Sequence, residues 1–181
     1  MIASNIFRRW DCIHNCCISN RRIWVAWKPS SYAVTTLRLS NQLIHCAVTQ
    51  LVTNHEFHIT YIYSHNHEQQ RQPLLEELHQ ISLSIQGAWC LLGDFNIVLS
   101  KDDRYGGNAV EDQELQELSN FMADCEVLQM PSSGAFFTWT NKTIWSRIAR
   151  VFVNSLWHEV FDYTIAKYLP SGLSDHNPVL I

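Results

Sequence analysis

The sequence predicts a mixed α/β domain, and three patterns along the chain support this. Residues 22–63 alternate apolar and polar side chains, which is typical of strands joined by short turns. Two later stretches repeat apolar residues at helical spacing, and a continuous apolar run at 88–92 between them indicates a buried central strand. With 181 residues and no internal repeat or linker, one domain over 1–181 is the expected organisation.

Four strands are expected in the first third of the chain, at 22–28, 33–40, 42–50 and 56–63. Turn-forming residues separate them, beginning with Pro29-Ser30-Ser31. Because the four segments lie close together in sequence, we expect an antiparallel meander built from hairpins.

The remainder of the chain predicts two helices and further strands. Leu74, Leu78, Ile81 and Ile85 follow Pro73 at helical spacing, so we expect a helix with Pro73 in its first turn. A second amphipathic helix is expected over 112–127, and strands over 135–140, 147–153 and 177–181. The tryptophans at 139, 145 and 157 are expected to pack in the sheets rather than to bind bases.

Composition excludes several classes of protein. The chain has 13 basic and 17 acidic residues, a formal charge of −4, which argues against a polybasic nucleic-acid coat. No apolar run approaches the roughly 18 residues of a membrane span, and the first residues do not form a signal peptide. We therefore expect an intracellular protein, nuclear or cytoplasmic, with no membrane partner. Cysteines 46, 90 and 125 fall in apolar periodic segments and are expected to be buried.

Asp94 and Asn96 form the first candidate site, directly after the apolar run at 88–92. Residues two apart in extended geometry project to the same side of a strand end. A carboxylate that activates water and an amide that supports an oxyanion suit phosphoester hydrolysis. The alternative is that this Gly-Asp-Phe-Asn segment is only a turn in which Asp94 and Asn96 cap backbone groups.

Asp175 and His176 form the second candidate site, just before the last expected strand. Adjacent strand residues point to opposite faces, so both side chains reach one site only if they lie in the preceding loop. A histidine can donate to a phosphate oxygen, and an aspartate can hold a divalent cation. The alternative is a loop that only caps the strand.

Taken together, these segments resemble a known family. The chain carries LLGDFNIVLS, RYGG, GAFFTWTN, WSRIARVFVN and GLSDHNPVLI in this order. They resemble the endonuclease/exonuclease/phosphatase family, and in particular the endonuclease domain of plant LINE-type (non-LTR) retrotransposons. The resemblance covers 21–181 and leaves 1–20 as a divergent segment. It implies a four-layer α/β/β/α sandwich of two mixed sheets, and Mg²⁺-dependent hydrolysis of DNA phosphodiester bonds by water.

The resemblance also implies roles for five residues. Asp94 resembles the residue that orients or deprotonates the water, and Asn96 its neighbour that supports the phosphate. His176 resembles the histidine that contacts phosphate, Asp175 the carboxylate on the metal side, and Tyr63 the tyrosine of the active site. If these roles apply, the side chains of Asp94 and His176 must lie within about 10 Å of each other.

Two departures from the family affect the expected activity. The family's first strands carry an Asn and the Glu that is the principal Mg²⁺ ligand, and nothing in 1–20 replaces them. Ala149 stands where the family has the Asp that orients the histidine of its Ser-Asp-His motif. We therefore expect an amino-terminally truncated domain with impaired hydrolysis, in effect a pseudoenzyme. The alternatives are a non-catalytic remnant, a weak nucleic-acid-binding protein, or a phosphatase with a closed pocket.

Overall fold

The computed structural model describes residues 9–15 and 23–181. The divergent segment expected at 1–20 lies largely outside these residues. The described strands are β1 Asp11–His14, β2 Trp24–Trp27, β3 Tyr32–Leu39, β4 Leu43–Gln50, β5 His55–Tyr63, β6 Trp89–Asp94, β7 Arg104–Tyr105, β8 Val127–Gln129, β9 Ser132–Gly134, β10 Trp139–Thr140, β11 Trp145–Ser146, β12 Ala149–Asn154, β13 Ala166–Tyr168 and β14 Val179–Leu180. The described helices are α1 Glu68–Ser82, α2 Asp112–Asp124 and α3 Trp157–Val160, with a 3₁₀ turn at Lys101–Asp103.

A six-stranded sheet in the order β3-β4-β5-β6-β12-β8 forms the centre of the fold. The strands β3, β4 and β5 form an antiparallel meander, as the alternating pattern predicts. The strands β5 and β6 are parallel, and α1 is the crossover between them. Since β12 pairs antiparallel with β6, the expected central strand has a partner on each side.

The prediction that 22–28 opens this meander is wrong. The strand β2 pairs antiparallel with β1, not with β3, and belongs to a separate two-stranded sheet. A turn in which Ser31 and Tyr32 donate to the carbonyl of Lys28 sends the chain from one sheet to the other. In that position Val25 is buried against the apolar face of the six-stranded sheet, so a change of layer buries more apolar surface than a fourth hairpin strand.

The helices α1 and α2 cover one face of the six-stranded sheet. Their buried side chains, which include Leu74, Leu78, Leu118 and Phe121, pack with the sheet residues of one core cluster. The opposite face packs against β2, β13 and α3 in a second cluster. The three cysteines expected in the core, Cys46, Cys90 and Cys125, are buried as predicted.

A buried polar chain crosses the helix-covered side of the sheet. Trp89, the first residue of β6, donates its indole N–H to Thr60 Oγ1 at 2.8 Å, and Thr60 Oγ1 lies 2.8 Å from His45 Nδ1. Since Thr60 accepts from Trp89, its own hydroxyl hydrogen is free to go to His45. Burial lowers the pKa of His45 to about 4, so its imidazole is neutral at pH 7.

The first helix begins one turn earlier than its proline indicates. Pro73 lies inside α1, which starts at Glu68. An interior proline lacks the helical N–H and crowds the preceding turn. Arg71 compensates by donating to the carbonyls of His65 and Asn66 and by pairing with Glu117 of α2 at 2.6 Å. The turn of α1 that precedes Pro73 is therefore held in place by the contacts of Arg71.

Several other boundaries also differ from the prediction. The second helix ends at Asp124, because Val127 continues into β8. The strand expected at 135–140 is only β10, preceded by β9, and the strand expected at 177–181 is only β14. Short strands of this kind are fixed by their partners: β9 pairs in parallel with β13, and β10 pairs with β11. The fold is nevertheless a mixed α/β arrangement with several sheets, as predicted.

The amino-terminal stretch contains a strand that the sequence did not predict. The strand β1 ends next to Asn15, whose side chain is fully buried. Its carboxamide donates to the carbonyls of Ser40 and Asn41 and accepts the N–H of Ile23, so it joins the turn between β3 and β4 to the start of β2. Within 9–15 and 23–181, no helix is long and apolar enough to cross a membrane.

Candidate active site

A polar cavity of about 530 Å³ lies where β6 ends. Among its lining residues are all five residues singled out from the sequence: Tyr63, Asp94, Asn96, Asp175 and His176. Tyr63 is the last residue of β5 and pairs with Asp94, the last residue of β6. The parallel pairing of these two strands therefore brings Tyr63 and Asp94 to the same edge of the sheet.

Asp94 is held in a buried position by the middle of the sheet. It is 7% exposed and lies between β5 and β12. The residue before it, Gly93, has φ +140°, and a Cβ there would overlap the carbonyl oxygen of Ile62. The close approach of β5 and β6 at this point thus requires glycine. Burial raises the pKa of the Asp94 carboxyl, an effect that the N–H of Asn96 and the imidazole of His176 oppose.

Asn96 reaches the cavity through a turn, not through extended geometry as expected. Its φ is +52°, in the left-handed region that Asn tolerates better than most residues. Its N–H donates to Asp94 Oδ1 at 2.9 Å, and its side-chain amide donates to the carbonyl of Ser64 at 2.7 Å. The backbone-capping alternative therefore describes part of what these residues do. Asp94 Oδ2 still faces the cavity.

Asp175 and His176 lie in the loop before β14, which is where both side chains can reach one site. The loop is docked on β10: Thr140 N–H donates to the carbonyl of Asp175, and Asn177 N–H donates to the carbonyl of Thr138. His176 itself forms a bridge with Trp139. As a result, His176 Nε2 lies 3.8 Å from Asp94 Oδ2, well within the expected 10 Å.

Trp139 is a site residue that the sequence reasoning assigned to sheet packing alone. Its indole N–H donates to Asp175 Oδ2 at 3.1 Å, and its ring lines the cavity. This hydrogen bond is the main reason why the pKa of the Asp175 carboxyl is below its ordinary value. No local pattern could reveal the contact, because the two residues are far apart in sequence.

Ala149 lies directly opposite Asp94 in the register of β12 and β6. The N–H groups of Ile148 and Ala149 both donate to Thr138 Oγ1, which fixes the start of β12 against β10. A methyl side chain at this position cannot hydrogen-bond to an imidazole. Among the described residues, the ion-pair contact of His176 Nε2 is instead with Asp94 Oδ2.

The turn that follows Asn96 is fixed to β12 by a buried ion pair between Asp103 and Arg150. Asp103 Oδ2 also accepts the N–H groups of Leu99 and Ser100, at 2.7 and 2.9 Å. Arg150 donates further to Gln129 Oε1 at 2.8 Å. Together these contacts form a buried polar support under Asp94. The charges of Asp103 and Arg150 within it neutralise each other.

The two carboxylates of the cavity, Asp94 and Asp175, leave few oxygens free for a Mg²⁺ ion. Magnesium requires near-octahedral oxygen ligands. Asp94 uses Oδ1 for the turn and faces His176 with Oδ2, while Asp175 uses Oδ2 for Trp139. Over 9–15 and 23–181, no group of three or more His, Cys, Asp or Glu side chains is arranged to hold a metal ion.

The fold is shared with enzymes that act on phosphoesters. The structure superposes on the endonuclease domain of TRAS1, a telomere-specific non-LTR retrotransposon, with a TM-score of 0.75 and 12% identity, covering 96% of this chain and 77% of that one. A mannosyl-6-phosphatase from Bacteroides thetaiotaomicron gives a TM-score of 0.61 and 12% identity, with 97% and 77% covered. D. rerio TDP2, complexed with single-strand DNA product, gives 0.61 and 13%, with 98% and 79% covered.

The sequence itself gives the more specific result. No curated protein matches it. The endonuclease/exonuclease/phosphatase family, however, matches over residues 10–176, so β1 lies inside the match although 1–20 was expected to fall outside it. All five expected site residues also lie within this range. The chain belongs to the endonuclease/exonuclease/phosphatase family.

Proposed function

We propose that this chain is a phosphodiesterase-type endonuclease domain, derived from a non-LTR retrotransposon, whose metal-dependent hydrolysis of DNA is impaired. The observation that carries the proposal is the 3.8 Å approach of His176 Nε2 to Asp94 Oδ2, opposite Ala149. The similarity to a retrotransposon endonuclease and to D. rerio TDP2 complexed with single-strand DNA product supports nucleic acid as the substrate class. A plant LINE origin, inferred from the sequence motifs, is part of the proposal.

The side chains of the cavity suit the handling of a phosphodiester. Asp94 is buried, and its raised pKa makes it a stronger base toward a water molecule than an exposed aspartate would be. His176 Nε2 can donate to a phosphate oxygen or to a leaving oxygen. Tyr63 and the amide of Asn96 line the same cavity, where they can orient the phosphate.

Impairment follows from two features of the same site. Without a carboxylate at position 149, the imidazole has no orienting partner on that side, and loss of such a partner in a comparable dyad lowers the rate by about 10⁴. The carboxylates of the cavity also leave few oxygens free for Mg²⁺, although the family's reaction is generally metal-dependent. Negative charge that develops on the phosphate is then poorly offset.

Nicking of supercoiled plasmid DNA in millimolar Mg²⁺ tests the proposal. The unmodified chain should nick no faster than its Asp94→Asn variant, and Ala149→Asp alone should not restore activity. A chimera that adds the family's Glu-bearing strands together with Ala149→Asp should nick, and Asp94→Asn in that chimera should abolish nicking, because such groups act as a unit. An inactive chimera whose folding is verified would contradict the endonuclease assignment.

Two further results would contradict the impairment. Nicking by the unmodified chain that Asp94→Asn abolishes would show an intact enzyme. A rise of several degrees in the melting temperature with millimolar Mg²⁺ would show a competent cation site, since a ligand that binds only the folded state stabilises it. Tight, salt-sensitive DNA binding without nicking in any variant would instead favour a nucleic-acid-binding protein.

A further inference from the structure

Charge is strongly segregated between the two helices and the rest of the molecule. The helices α1 and α2 hold seven of the 17 acidic residues and one of the 13 basic residues, which leaves ten acidic and twelve basic residues elsewhere. The seven are Glu68, Glu76, Glu77, Asp112, Glu114, Glu117 and Asp124, and the single basic residue is Arg71. The outer layer of the sheet is thus acidic, whereas the rest of the chain is slightly basic. A nucleic acid is repelled from the helix layer.

A groove of about 500 Å³ runs between these helices. Its walls are stripes of side chains at helical spacing, from Glu68 to His79 on α1 and from Gln113 to Asp124 on α2. The two ends of each stripe are eleven residues apart, or about 16 Å along the helix axis. Leu75, Phe121 and Cys125 form an apolar floor. The groove is therefore as long as three turns of a helix.

Three carboxylates on the rim of this groove are not neutralised. Glu117 is paired with Arg71, and the other donors of Arg71 go to backbone carbonyls, so this pair contributes little net charge to the rim. Glu68, Glu76 and Asp124 form no ion pair with any described residue. Their charges lie on both sides of the apolar floor, which calls for a partner with cations on both flanks of an apolar stripe.

We propose that the groove between α1 and α2 is the docking site of a basic amphipathic helix of a partner protein, about three turns long. Lys or Arg side chains on its flanks would pair with Glu68 and Glu76 on one side and Asp124 on the other. Its apolar stripe would lie on Leu75, which is partly exposed, above the buried ring of Phe121. The proposal does not depend on the nuclease assignment. The groove lies in the helix layer on one face of the six-stranded sheet, and none of the candidate site residues line it.

Fluorescence anisotropy with a dye-labelled peptide tests this docking site. The probe is a helical peptide of about 14 residues with four Lys flanking a Leu/Ala stripe, and its matched control has Gln in place of each Lys. We expect the Lys peptide to bind at low salt, to weaken at high salt, and to bind at least about tenfold more tightly than the Gln peptide. Equal binding of the two peptides, or no binding of the Lys peptide at millimolar protein, overturns the proposal.

Protein variants locate the binding. Glu68→Gln/Glu76→Gln/Asp124→Asn should weaken the Lys peptide about tenfold, and Leu75→Gln should weaken it further. Glu56→Gln/Glu159→Gln/Asp162→Asn removes the same charge from exposed positions outside the groove and should change the affinity by less than about twofold.

Equal losses in the two triple variants would show attraction to overall charge only. Displacement of the peptide by spermine at equal concentration would show a small polycation site. Thermal unfolding of each variant verifies that it is folded.

Discussion

The two halves of the candidate site are built in different ways. Asp94 ends a strand in the middle of the six-stranded sheet, where both neighbours hydrogen-bond to the backbone and the carboxylate is buried. Asp175 is exposed, in a loop docked on the two-residue strand β10. Their carboxyl pKa values are shifted in opposite directions, upward by burial for Asp94 and downward by the indole N–H for Asp175. Burial in the core thus sets the direction of the pKa shift of Asp94, whereas a hydrogen bond from a single side chain sets that of Asp175.

This difference predicts how each half responds to change. A substitution in the half around Asp94 should act through the stability of the whole sheet, since its groups belong to the core. A substitution in the half around Asp175 should act on the site and leave the fold unchanged.

Gly93→Ala should have the largest effect. The added Cβ overlaps the carbonyl oxygen of Ile62 and requires a backbone conformation that L-residues rarely adopt. We expect a loss of about 4 kcal/mol in the free energy of unfolding, measured by urea denaturation. Gly172→Ala is the matched control, because nothing lies within 4 Å of its added Cβ. Equal stability of the two variants would show that β5 and β6 do not need their close approach.

Asp103→Asn should destabilise the support under Asp94 by about 3 kcal/mol, because it leaves the guanidinium of Arg150 buried without its counter-ion. The double variant Asp103→Asn/Arg150→Met should recover part of this loss, since the unpaired charge is gone. Asp112→Asn breaks the nearby exposed pair with Lys101 and should have no measurable effect on urea unfolding. A double variant less stable than Asp103→Asn would show that packing of Arg150, not its charge, is what matters.

Acid should weaken the start of β6 through His45. Its pKa is about 4 in the folded chain, against 6.5 when unfolded, so the unfolded state binds more protons between these values. Stability is full above pH 6.5 and falls as the pH drops toward 4, by about 1 to 2 kcal/mol between pH 7 and pH 5. His45→Leu should be less stable at pH 7 but should lose less between the two pH values. An unchanged pH dependence in this variant would exclude His45 as the titrating group.

Trp139→Phe should have the smallest effect on the fold and a specific effect on the site. The ring is kept, but the donor to Asp175 is lost, so the pKa of the Asp175 carboxyl should rise toward its ordinary value. Carboxyl ¹³C chemical shifts followed by NMR through a pH titration measure this change. Trp145→Phe is the control, since that ring packs on Tyr105 instead. A shift of equal size in both variants would argue against the hydrogen bond as its cause.

Local patterns in the sequence predicted what depends on local structure. The alternation in 42–50 and 56–63 predicted β4 and β5, and the polar residues after a buried strand predicted the position of Asp94. Burial of the three core cysteines follows from the same periodicity. In these segments the side-chain pattern and the backbone conformation are set by the same few residues.

Contacts between distant residues account for what the sequence did not predict. The strand β2 changes layer because its partners are β1 and the apolar face of the sheet, and α1 starts before Pro73 because Arg71 is held by Glu117, 46 residues away. The indole of Trp139 meets Asp175 across 36 residues. Alternation and helical period carry no information on such pairings, so the convergence of Asp175 and His176 on Asp94 could be expected from sequence only through a family resemblance.

The position of β12 in the sheet has a consequence for how the chain is made. The strand β6 lies between β5 and β12, but β12 follows it by about 55 residues along the chain. At roughly 5–20 residues per second, the ribosome needs several seconds to deliver the strand that covers the open edge of β6. During that interval the apolar run Trp89–Asp94 has an unpaired edge next to a nascent core. The strand that ends in Asp94 is therefore a segment that a chaperone would protect from wrong pairing during synthesis.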